Sequence, residues 1–269
     1  MPKIFLSQMS LFPLPISSVI EMAEASGFDG VEVFNFNLTH EKMEKIIVRA
    51  KKFGLDVHLH QAWRYEDDPT KINWLMNKLG FLPKYGKSVR AQFDGITEPV
   101  VAYPDEWNCV RDEDDSNFWL QTNLSHGPNG MKMPLRKFYE IVKNNNFPVV
   151  FDTQHFLEDC VGKNGVEFIS TDRKIVLKNT IDGWGNLHRF VKEIHLCDFD
   201  PNLGSQKGRN LFLGKGIFPL KRFAEIVKET KWDGFVVPEV KPQHILGLRR
   251  LPMLEKLAKL RRITRDLFK

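Results

Sequence analysis

Short apolar runs alternate along the chain with longer stretches in which apolar residues recur every three or four positions. Ile16, Val19, Ile20 and Ala23 show the longer spacing clearly. A period near 3.6 predicts an amphipathic helix, whereas a short apolar run bounded by polar residues predicts a buried strand. Eight runs are predicted strands, at residues 4–9, 30–34, 56–61, 89–93, 118–123, 148–152, 193–197 and 235–239.

This alternation predicts the fold. Helices between successive strands are typical of repeated βα units with parallel strands. Eight such units in about 260 residues, without a flexible linker, predict an α/β protein with a single (β/α)8 TIM barrel domain over residues 1–269. No Gly-rich dinucleotide or P-loop motif occurs. The helix before the seventh strand is predicted near residues 173–190, and residues 96–116 are predicted to be a polar connection.

Composition narrows the class of protein. The 269 residues carry 39 Lys and Arg against 34 Asp and Glu, a net charge of +5, and are 42% hydrophobic, which excludes disorder as the main state. Cys109, Cys160 and Cys197 lack CxxC spacing, so neither a zinc knuckle nor a disulfide framework is expected. No apolar run of about 18 residues occurs. We therefore expect a cytoplasmic protein that does not contact a membrane.

Basic residues crowd the last twenty positions of the chain. This charge could attract nucleic acid, but a solvated outer face of a helix is the simpler interpretation, because no exposed aromatic residues are interleaved. Nucleic acid is thus a partner that we do not expect, although the charge leaves it open. The oligomeric state is also left open, a homo-oligomer included.

Polar side chains stand at the ends of the predicted strands, where a (β/α)8 barrel carries its site. They are Glu32, His60, Gln121 with Asn123, Asp152 with His155, His195 with Asp198, and Glu239. A lone Asp or His in such a place usually caps a helix or binds a loop. Gln121, Asp152, His195 and Glu239, however, follow four consecutive strands and could face one point. Two carboxylates, an imidazole and an amide suit one divalent ion, Mn²⁺, Mg²⁺ or Co²⁺ rather than Zn²⁺.

Further candidates surround these ligands. Residues 204–216 are Gly-rich and basic, so Arg209 and Lys215 could bind a carboxylate, a phosphate or sugar hydroxyls, unless the segment is only a surface loop. Trp63, directly after the third strand, could stack on a sugar, although packing under a loop is the commoner role of such a residue. Glu32 and His60 could line the mouth of the barrel.

Five short motifs follow one another over nearly the whole chain: GFDGVEV at 27–33, FDTQH at 151–155, IHLCD at 194–198, Arg209 with LGKG at 213–216, and VPE at 237–239. Together they resemble the xylose isomerase-like TIM barrels. That superfamily contains ketose epimerases, sugar isomerases, inosose dehydratase-like enzymes and the endonuclease IV group, which cuts DNA at abasic sites.

The resemblance implies a set of roles. In the isomerase and epimerase branch, Glu, Asp, His and Glu at the ends of strands five to eight typically hold a divalent metal. Asp152, His195 and Glu239 match three of them, and Gln121 stands where the family has the first Glu. An amide can donate its oxygen to a metal but cannot carry a proton, which argues against two-base epimerisation. Arg209 resembles the substrate-side arginine of the family.

We therefore expect a metal-dependent isomerase or epimerase, or a dehydratase-like enzyme, that acts on a small sugar or a polyol-derived carbonyl compound. Glu239 is the expected base, and His155 is a second candidate catalytic residue that could also bind a substrate oxygen or a second metal. The candidate substrate-binding residues are Arg209, His60, Glu32, Trp63 and Lys215.

Two alternatives stay open. One is an endonuclease IV-like phosphodiester hydrolase acting on abasic DNA, which needs three zinc ions. Gln121 and the stretch Gly208-Arg209-Asn210 lack ligands that this resemblance would require. The other is a non-catalytic sugar-binding barrel that has lost a metal ligand at Gln121.

Overall fold

In the computed structural model, eight parallel strands close into one barrel, and the strands follow one another around it in chain order. The structure describes residues 1–36, 38–62, 78, 92–104, 117–124 and 133–269. The strands are β1 (Lys3–Ser7), β2 (Gly30–Asn35), β3 (Asp56–Gln61), β4 (Val100–Ala102), β5 (Phe118–Gln121), β6 (Val149–Asp152), β7 (Val191–Cys197) and β8 (Phe235–Glu239). Pairing of Ile4 with Val236 closes the barrel between β1 and β8. The predicted (β/α)8 barrel is confirmed.

Helices surround the strands, and the longer ones pack against the outer face of the barrel. Within the described residues they are α1 (Ile16–Ala25), α2 (His40–Lys52), α3 (Leu135–Asn145), α4 (Thr153–Val161), α5 (Arg173–Leu187), α6 (Gly204–Gly208), α7 (Leu220–Glu229), α8 (Pro242–Ile245) and α9 (Arg250–Phe268). α1 begins after Pro15 and α7 after Pro219. Gly27 and Gly54 follow α1 and α2 with φ of +73° and +70°, the left-handed conformation that ends a helix.

The fourth strand is not where the sequence predicted it. β4 occupies Val100–Ala102 and pairs with β3 and β5, inside the stretch that we had expected to be a polar connection. Of the predicted residues 89–93, the first three lie outside the described residues, and Phe93 is buried but not in a strand. A three-residue strand between Pro99 and Tyr103 is too short to show a period of two.

The main apolar core lies between the barrel and its helices. Val19 of α1, Val31 of β2 and Phe223 of α7 are fully buried in it. Val31 and similar residues point outward from the strands, so the inner faces of the strands are left for a second layer of side chains. No helix in the described part of the chain is long and apolar enough to cross a membrane.

Aromatic rings fill the amino-terminal end of the barrel interior. The centroid of the His58 ring lies 4.3 Å from that of Phe5, 4.9 Å from Trp119 and 4.5 Å from Phe235. Gly30 leaves room for this packing, because a Cβ there would overlap the ring of Phe5. With this end filled, the accessible end of the barrel is the one at the carboxyl ends of the strands.

Candidate functional site

Four polar side chains meet at the carboxyl ends of β5 to β8. Asp152 Oδ2 lies 3.7 Å and Glu239 Oε1 lies 3.6 Å from Nδ1 of His195. Nε2 of Gln121 lies 3.3 Å from Asp152 Oδ2 and 3.3 Å from the same His195 nitrogen. We call Gln121, Asp152, His195 and Glu239 the mouth group. The structure brings together the four side chains that the strand ends suggested as metal ligands.

Asp152 caps helix α4 with one of its carboxylate oxygens. Oδ1 accepts hydrogen bonds from the backbone N–H groups of Gln154 at 2.9 Å and His155 at 2.8 Å. Burial alone would raise the pKa of Asp152, but the positive charges of His155 and His195 hold it below its usual value. Its second oxygen, Oδ2, therefore carries negative charge into the mouth group.

Buried carboxylates on the side of the ring away from the mouth group orient His195. Its Nε2 lies 2.9 Å from Oε1 of Glu193 and 2.9 Å from Oε2 of Glu32, and the N–H bond points at Glu193, since this Glu32 oxygen has no hydrogen bond. Oε2 of Glu193 is bound in turn by Nδ1 of His58. Holding the proton on Nε2 directs Nδ1 at the mouth group. Although burial opposes it, the charges of Glu32 and Glu239 raise the pKa of His195 well above its usual value.

Glu239 carries the carboxylate best suited to exchange protons near neutral pH. Burial raises the pKa of Glu239 to about 7, with the positive charge of His195 acting against this and the negative charges of Glu32 and Asp152 acting with it. The side chain is 14% exposed and lines a cavity at the mouth of the barrel. A general base is most effective when its pKa lies near the working pH.

Glu158 of α4, which the sequence analysis did not single out, holds two cationic side chains beside the cavity. Its Oε2 accepts a hydrogen bond from Nδ1 of His155 at 2.9 Å, and its Oε1 accepts one from Nη2 of Arg209 at 2.6 Å. Arg209 also contacts Oδ1 of Asn164. Burial alone would lower the pKa of His155, but the charges of Asp152 and Glu158 raise it to about 9. Both cations are thus kept charged at neutral pH.

The cavity above the mouth group has a volume of about 260 Å³. Among the described residues it is lined by Met9, Phe34, His60, Tyr103, Gln121, Asn123, His155, Arg209, Asn210, Glu239, Val240, Lys241 and Pro242. The rings of His60 and Phe34 stack with centroids 4.1 Å apart. Burial lowers the pKa of His60, so this wall is aromatic and uncharged, while His155 and Arg209 supply a cationic wall.

Of the five predicted substrate-binding residues, two line the cavity, two do not, and one lies outside the described residues. His60 and Arg209 line the cavity. Glu32 does not, because its inward position on β2 lies one layer below the cavity, where it is fully buried. Lys215 is exposed and also lies outside the cavity lining. Trp63 lies outside the described residues.

Asp198 explains the position of Lys215. Its two carboxylate oxygens accept backbone N–H bonds from Phe199, Gly214, Gly216 and Phe218, at 2.8 to 3.2 Å. Gly216 is required there, because a Cβ would overlap Asp198 Oδ1 and the backbone of Phe199. The loop that carries Lys215 is therefore folded back onto the end of β7.

Two side chains at the mouth were missed by the sequence analysis. Sγ of Cys197 lies 3.9 Å from Asp152 Oδ2 and 3.9 Å from Glu239 Oε2. Nδ2 of Asn210 lies 3.5 Å from this sulfur and 3.3 Å from the same Glu239 oxygen. The period of two along β7 places Cys197 on the same inner face as His195, a signal that the sequence does contain.

The mouth group fits a divalent metal ion. Ligand atoms about 2.1 Å from an ion lie about 3.0 Å apart in an octahedron and about 3.4 Å apart in a tetrahedron. The separations of 3.7 and 3.6 Å between His195 Nδ1 and the carboxylates of Asp152 and Glu239 are close to the tetrahedral value. Oε1 of Gln121 is buried and has no hydrogen-bond partner among the described residues, and a rotation of the amide group would exchange it with Nε2. A cation would satisfy that oxygen and offset the buried carboxylates.

Comparison with known proteins agrees with the fold. Residues 132–263, which hold Asp152, His195 and Glu239, match the family model described as xylose isomerase-like TIM barrel. No curated protein sequence is significantly similar to the chain.

Several solved structures of sugar epimerases are similar to the chain. One is a D-psicose 3-epimerase in the presence of D-fructose, with 13% identity over 99% of both chains and a TM-score of 0.64. A second is the D-psicose 3-epimerase of Clostridium cellulolyticum H10 with D-tagatose, with 14% identity over 99% of both chains and a TM-score of 0.60. A third is the 3-keto-D-glucoside 4-epimerase of E. coli, with 13% identity over 97% of this chain and 100% of that chain and a TM-score of 0.61. Identities this low show a shared fold, so the chemistry has to be argued from the residues.

Proposed function

We propose, on the premise that this chain is a xylose isomerase-like TIM barrel, that it is a divalent-metal-dependent isomerase or epimerase of a small sugar or polyol-derived carbonyl compound. The observation that carries the proposal is the Glu239 carboxylate, which lines the cavity beside Asp152 with Oε1 3.6 Å from Nδ1 of His195. A group of that kind is suited to removing a proton from carbon near neutral pH.

Asp152, His195 and Glu239 would hold the ion, and Gln121 would add its amide oxygen. The chemistry supplied by a bound divalent ion is polarisation of a substrate carbonyl and hydroxyl, which makes the neighbouring C–H acidic. The cavity volume of about 260 Å³ lies below the range of about 300 to 1,000 Å³ that is typical of drug-sized ligands, which favours a small substrate.

Glu239 is the only carboxylate that lines the described part of the cavity. It would take the proton from the carbon beside the carbonyl and return it to the adjoining carbon on the same face. Gln121 cannot act as a second base, because an amide does not ionise near neutral pH. This arrangement favours proton transfer by a single base, as in isomerisation, over epimerisation by two bases.

His155 and Arg209 would orient the substrate. Both are cationic, both line the cavity, and both are held by Glu158, so their positive charges are fixed before a substrate arrives. Hydroxyl and carbonyl oxygens are suitable partners for them. The stacked rings of His60 and Phe34 would pack against the apolar face of a sugar.

The test is exchange of carbon-bound hydrogen with solvent. The protein is loaded with Mn²⁺ or Co²⁺ and incubated in D₂O with aldoses, ketoses and inososes, and the products are analysed by NMR. We expect deuterium at the carbon beside the carbonyl for at least one sugar, and its loss in Glu239→Gln. Glu225→Gln, an exposed position on α7, is the matched control and should leave exchange unchanged.

Product identity then separates the reactions. An exchanged sugar with a moved carbonyl is the result expected for isomerisation, an inverted carbon indicates epimerisation, and an unsaturated product indicates loss of water. Cleavage of abasic DNA without any exchange would overturn the proposal in favour of the nuclease. Sugar binding with neither exchange nor a new sugar product in the metal-loaded protein would overturn it in favour of a non-catalytic barrel.

A further inference from the structure

We infer that the sulfur of Cys197 is a further ligand of the metal centre, so that the centre selects Zn²⁺ or Co²⁺ over Mg²⁺ and Mn²⁺. The inference rests on the proposed function, because it presupposes an ion at the mouth group. It concerns a side chain that lies at the opening of the barrel and that the proposed proton transfer does not use.

The surroundings of Cys197 are those of a ligand rather than of a packing residue. A buried cysteine that only fills space behaves as a small apolar side chain. Sγ of Cys197 instead lies 3.9 Å from Asp152 Oδ2, 3.9 Å from Glu239 Oε2 and 3.5 Å from Asn210 Nδ2. Three polar atoms of three different elements or loops therefore converge on one sulfur.

The separations suit a shared ion. With a metal–sulfur distance of about 2.3 Å and a metal–oxygen distance of about 2.1 Å, sulfur and oxygen ligands lie roughly 3.6 Å apart in a tetrahedron. The observed 3.9 Å to each carboxylate is close to that value. Asp152, Cys197 and Glu239 each offer a ligand atom within 4.8 Å of those of the other two.

A second observation points to a cation at the same place. Oε1 of Gln121 is buried without a hydrogen-bond partner among the described residues, while the amide nitrogen of this side chain contacts Asp152 Oδ2. Gln121 is 3% exposed, so water does not readily replace the missing partner. The amide nitrogen now faces the mouth group, and a rotation of the amide group would exchange it with the unpartnered oxygen. That oxygen would then lie with two carboxylates and a sulfur, a set of donors that suits a cation.

The sulfur changes which ion is preferred. A site of carboxylate, imidazole and amide donors suits Mg²⁺ or Mn²⁺, whereas a thiolate selects softer ions such as Zn²⁺ and Co²⁺. On binding, the thiol proton leaves to solvent as the sulfur–metal bond forms, so no oxidant or reductant is involved. The thiolate would also supply the negative charge that a glutamate at position 121 would carry and that Gln121 lacks.

The test uses the visible and near-ultraviolet spectrum of the Co²⁺-loaded full chain. The variant Cys109→Ser/Cys160→Ser keeps Cys197 as its only cysteine and serves as the matched background. We expect Co²⁺ to produce a thiolate-to-metal charge-transfer band in this background, and we expect the band to disappear on adding Cys197→Ser. Competition titrations should show Cys197→Ser weakening Zn²⁺ at least about tenfold while changing Mn²⁺ much less.

The outcomes separate this inference from the proposed function. Co²⁺ that binds without a thiolate band, in a protein whose Zn²⁺ affinity is unchanged by Cys197→Ser, would overturn the inference and leave the metal centre standing. Failure of any divalent ion to bind the wild-type chain would overturn both. If Cys197→Ser does not fold, the spectrum of the single-cysteine background decides the question by itself.

Discussion

The two carboxylate oxygens of Asp152 have different roles, one in the fold and one at the candidate site. Oδ1 caps α4 through two backbone N–H groups, and Oδ2 lies among the mouth group. A substitution that removes the carboxylate would therefore cost a helix cap, worth about 1 kcal/mol, together with a candidate ligand. Loss of activity in such a variant would therefore combine a weakened fold with a change at the site.

Gln121→Glu tests the most unusual residue of the mouth group. The added negative charge should tighten Mn²⁺ binding by about tenfold or more, because affinity rises with the number of charged ligands. It should also lower the melting temperature of the metal-free protein, since a carboxylate would then lie against Asp152. Calorimetric titration and thermal unfolding measure the two effects, with exposed Gln243→Glu as the control. Equal affinity in both proteins would show that residue 121 does not bind the ion.

Glu158→Gln tests the charge of His155. In the metal-free wild type, the pKa of His155 of about 9 lies above its ordinary value of 6.5, so the stability it contributes is complete below pH 6.5 and is lost as the pH rises through 9. Removing the Glu158 charge should lower this pKa by about 1 or more and flatten that loss. NMR titration of the imidazole and urea unfolding at several pH values check both. An unchanged His155 titration would contradict the role of Glu158.

Some of the residues that sequence analysis missed could have been found from the sequence pattern, and others could not. Cys197 and Glu193 share the inner face of β7 with His195, and a period of two along a strand is readable in the sequence. Glu158 was not readable, because its partners His155 and Arg209 come together only when the loop after β7 lies beside α4. Glu32 was wrongly placed at the cavity for a related reason: the sequence indicates the inner face of β2, but not the depth in the barrel.

At the scale of elements, β6, α4 and β7 form the support of the site. Oγ1 of Thr153, the first residue of α4, accepts a hydrogen bond from the backbone N–H of Cys197 at 2.9 Å. Its single hydroxyl proton is within reach of the carbonyl oxygens of Cys197 at 3.1 Å and His195 at 3.2 Å. This side chain fastens the start of the helix to the neighbouring strand. The candidate ligands on β6 and β7 are thus held by a side chain that is not part of the described cavity lining.

The packing of α5 on α4 gives a paired prediction. A Cβ on Gly183 would overlap the ring of Phe156 in α4, whereas nothing lies within 4 Å of a Cβ on Gly185. Both residues lie in α5, where alanine is intrinsically favoured over glycine by about 1 kcal/mol. We expect Gly185→Ala to stabilise the protein by about that amount and Gly183→Ala to destabilise it by about 1 to 3 kcal/mol. Urea unfolding measures both, and equal shifts would contradict this packing.

Element prediction failed where an element is short. β4 has three residues, so it offers neither a period nor a run of apolar residues longer than many loops contain. Residues 89–93 alternate apolar and polar side chains over five positions, so a strand was predicted there instead. The strands with five or more residues were predicted within two positions of their observed ends, because their length lets the pattern repeat.

At the scale of the whole molecule, the barrel was predictable because the βα alternation repeats eight times. One misplaced strand does not alter that count, so the closed barrel follows even though β4 lies elsewhere. The substrate was not predictable, since a shared fold supports many reactions. The volume of the mouth cavity and its cationic side chains indicate only a small, oxygen-rich molecule.

The whole chain should bind one divalent ion. Elemental analysis of protein reconstituted with Co²⁺ or Zn²⁺ should find about one ion per chain, because the mouth group has donors for a single centre. Removing the ion with a chelator should lower the melting temperature, since the ion binds the folded state and offsets buried carboxylates. About three zinc ions per chain would instead support the nuclease alternative.

The line of buried groups below His195 gives the molecule a built-in optical reporter. Glu193 binds His195 on one side and His58 on the other, and the indole of Trp119 packs edge-on against His58 at 4.9 Å. Because indole emission depends on the surroundings of the ring, a rearrangement of the mouth that moves Glu193 and His58 would change the emission of Trp119. Filling of the site could then be followed by light from the opposite end of the barrel, without any label on the substrate.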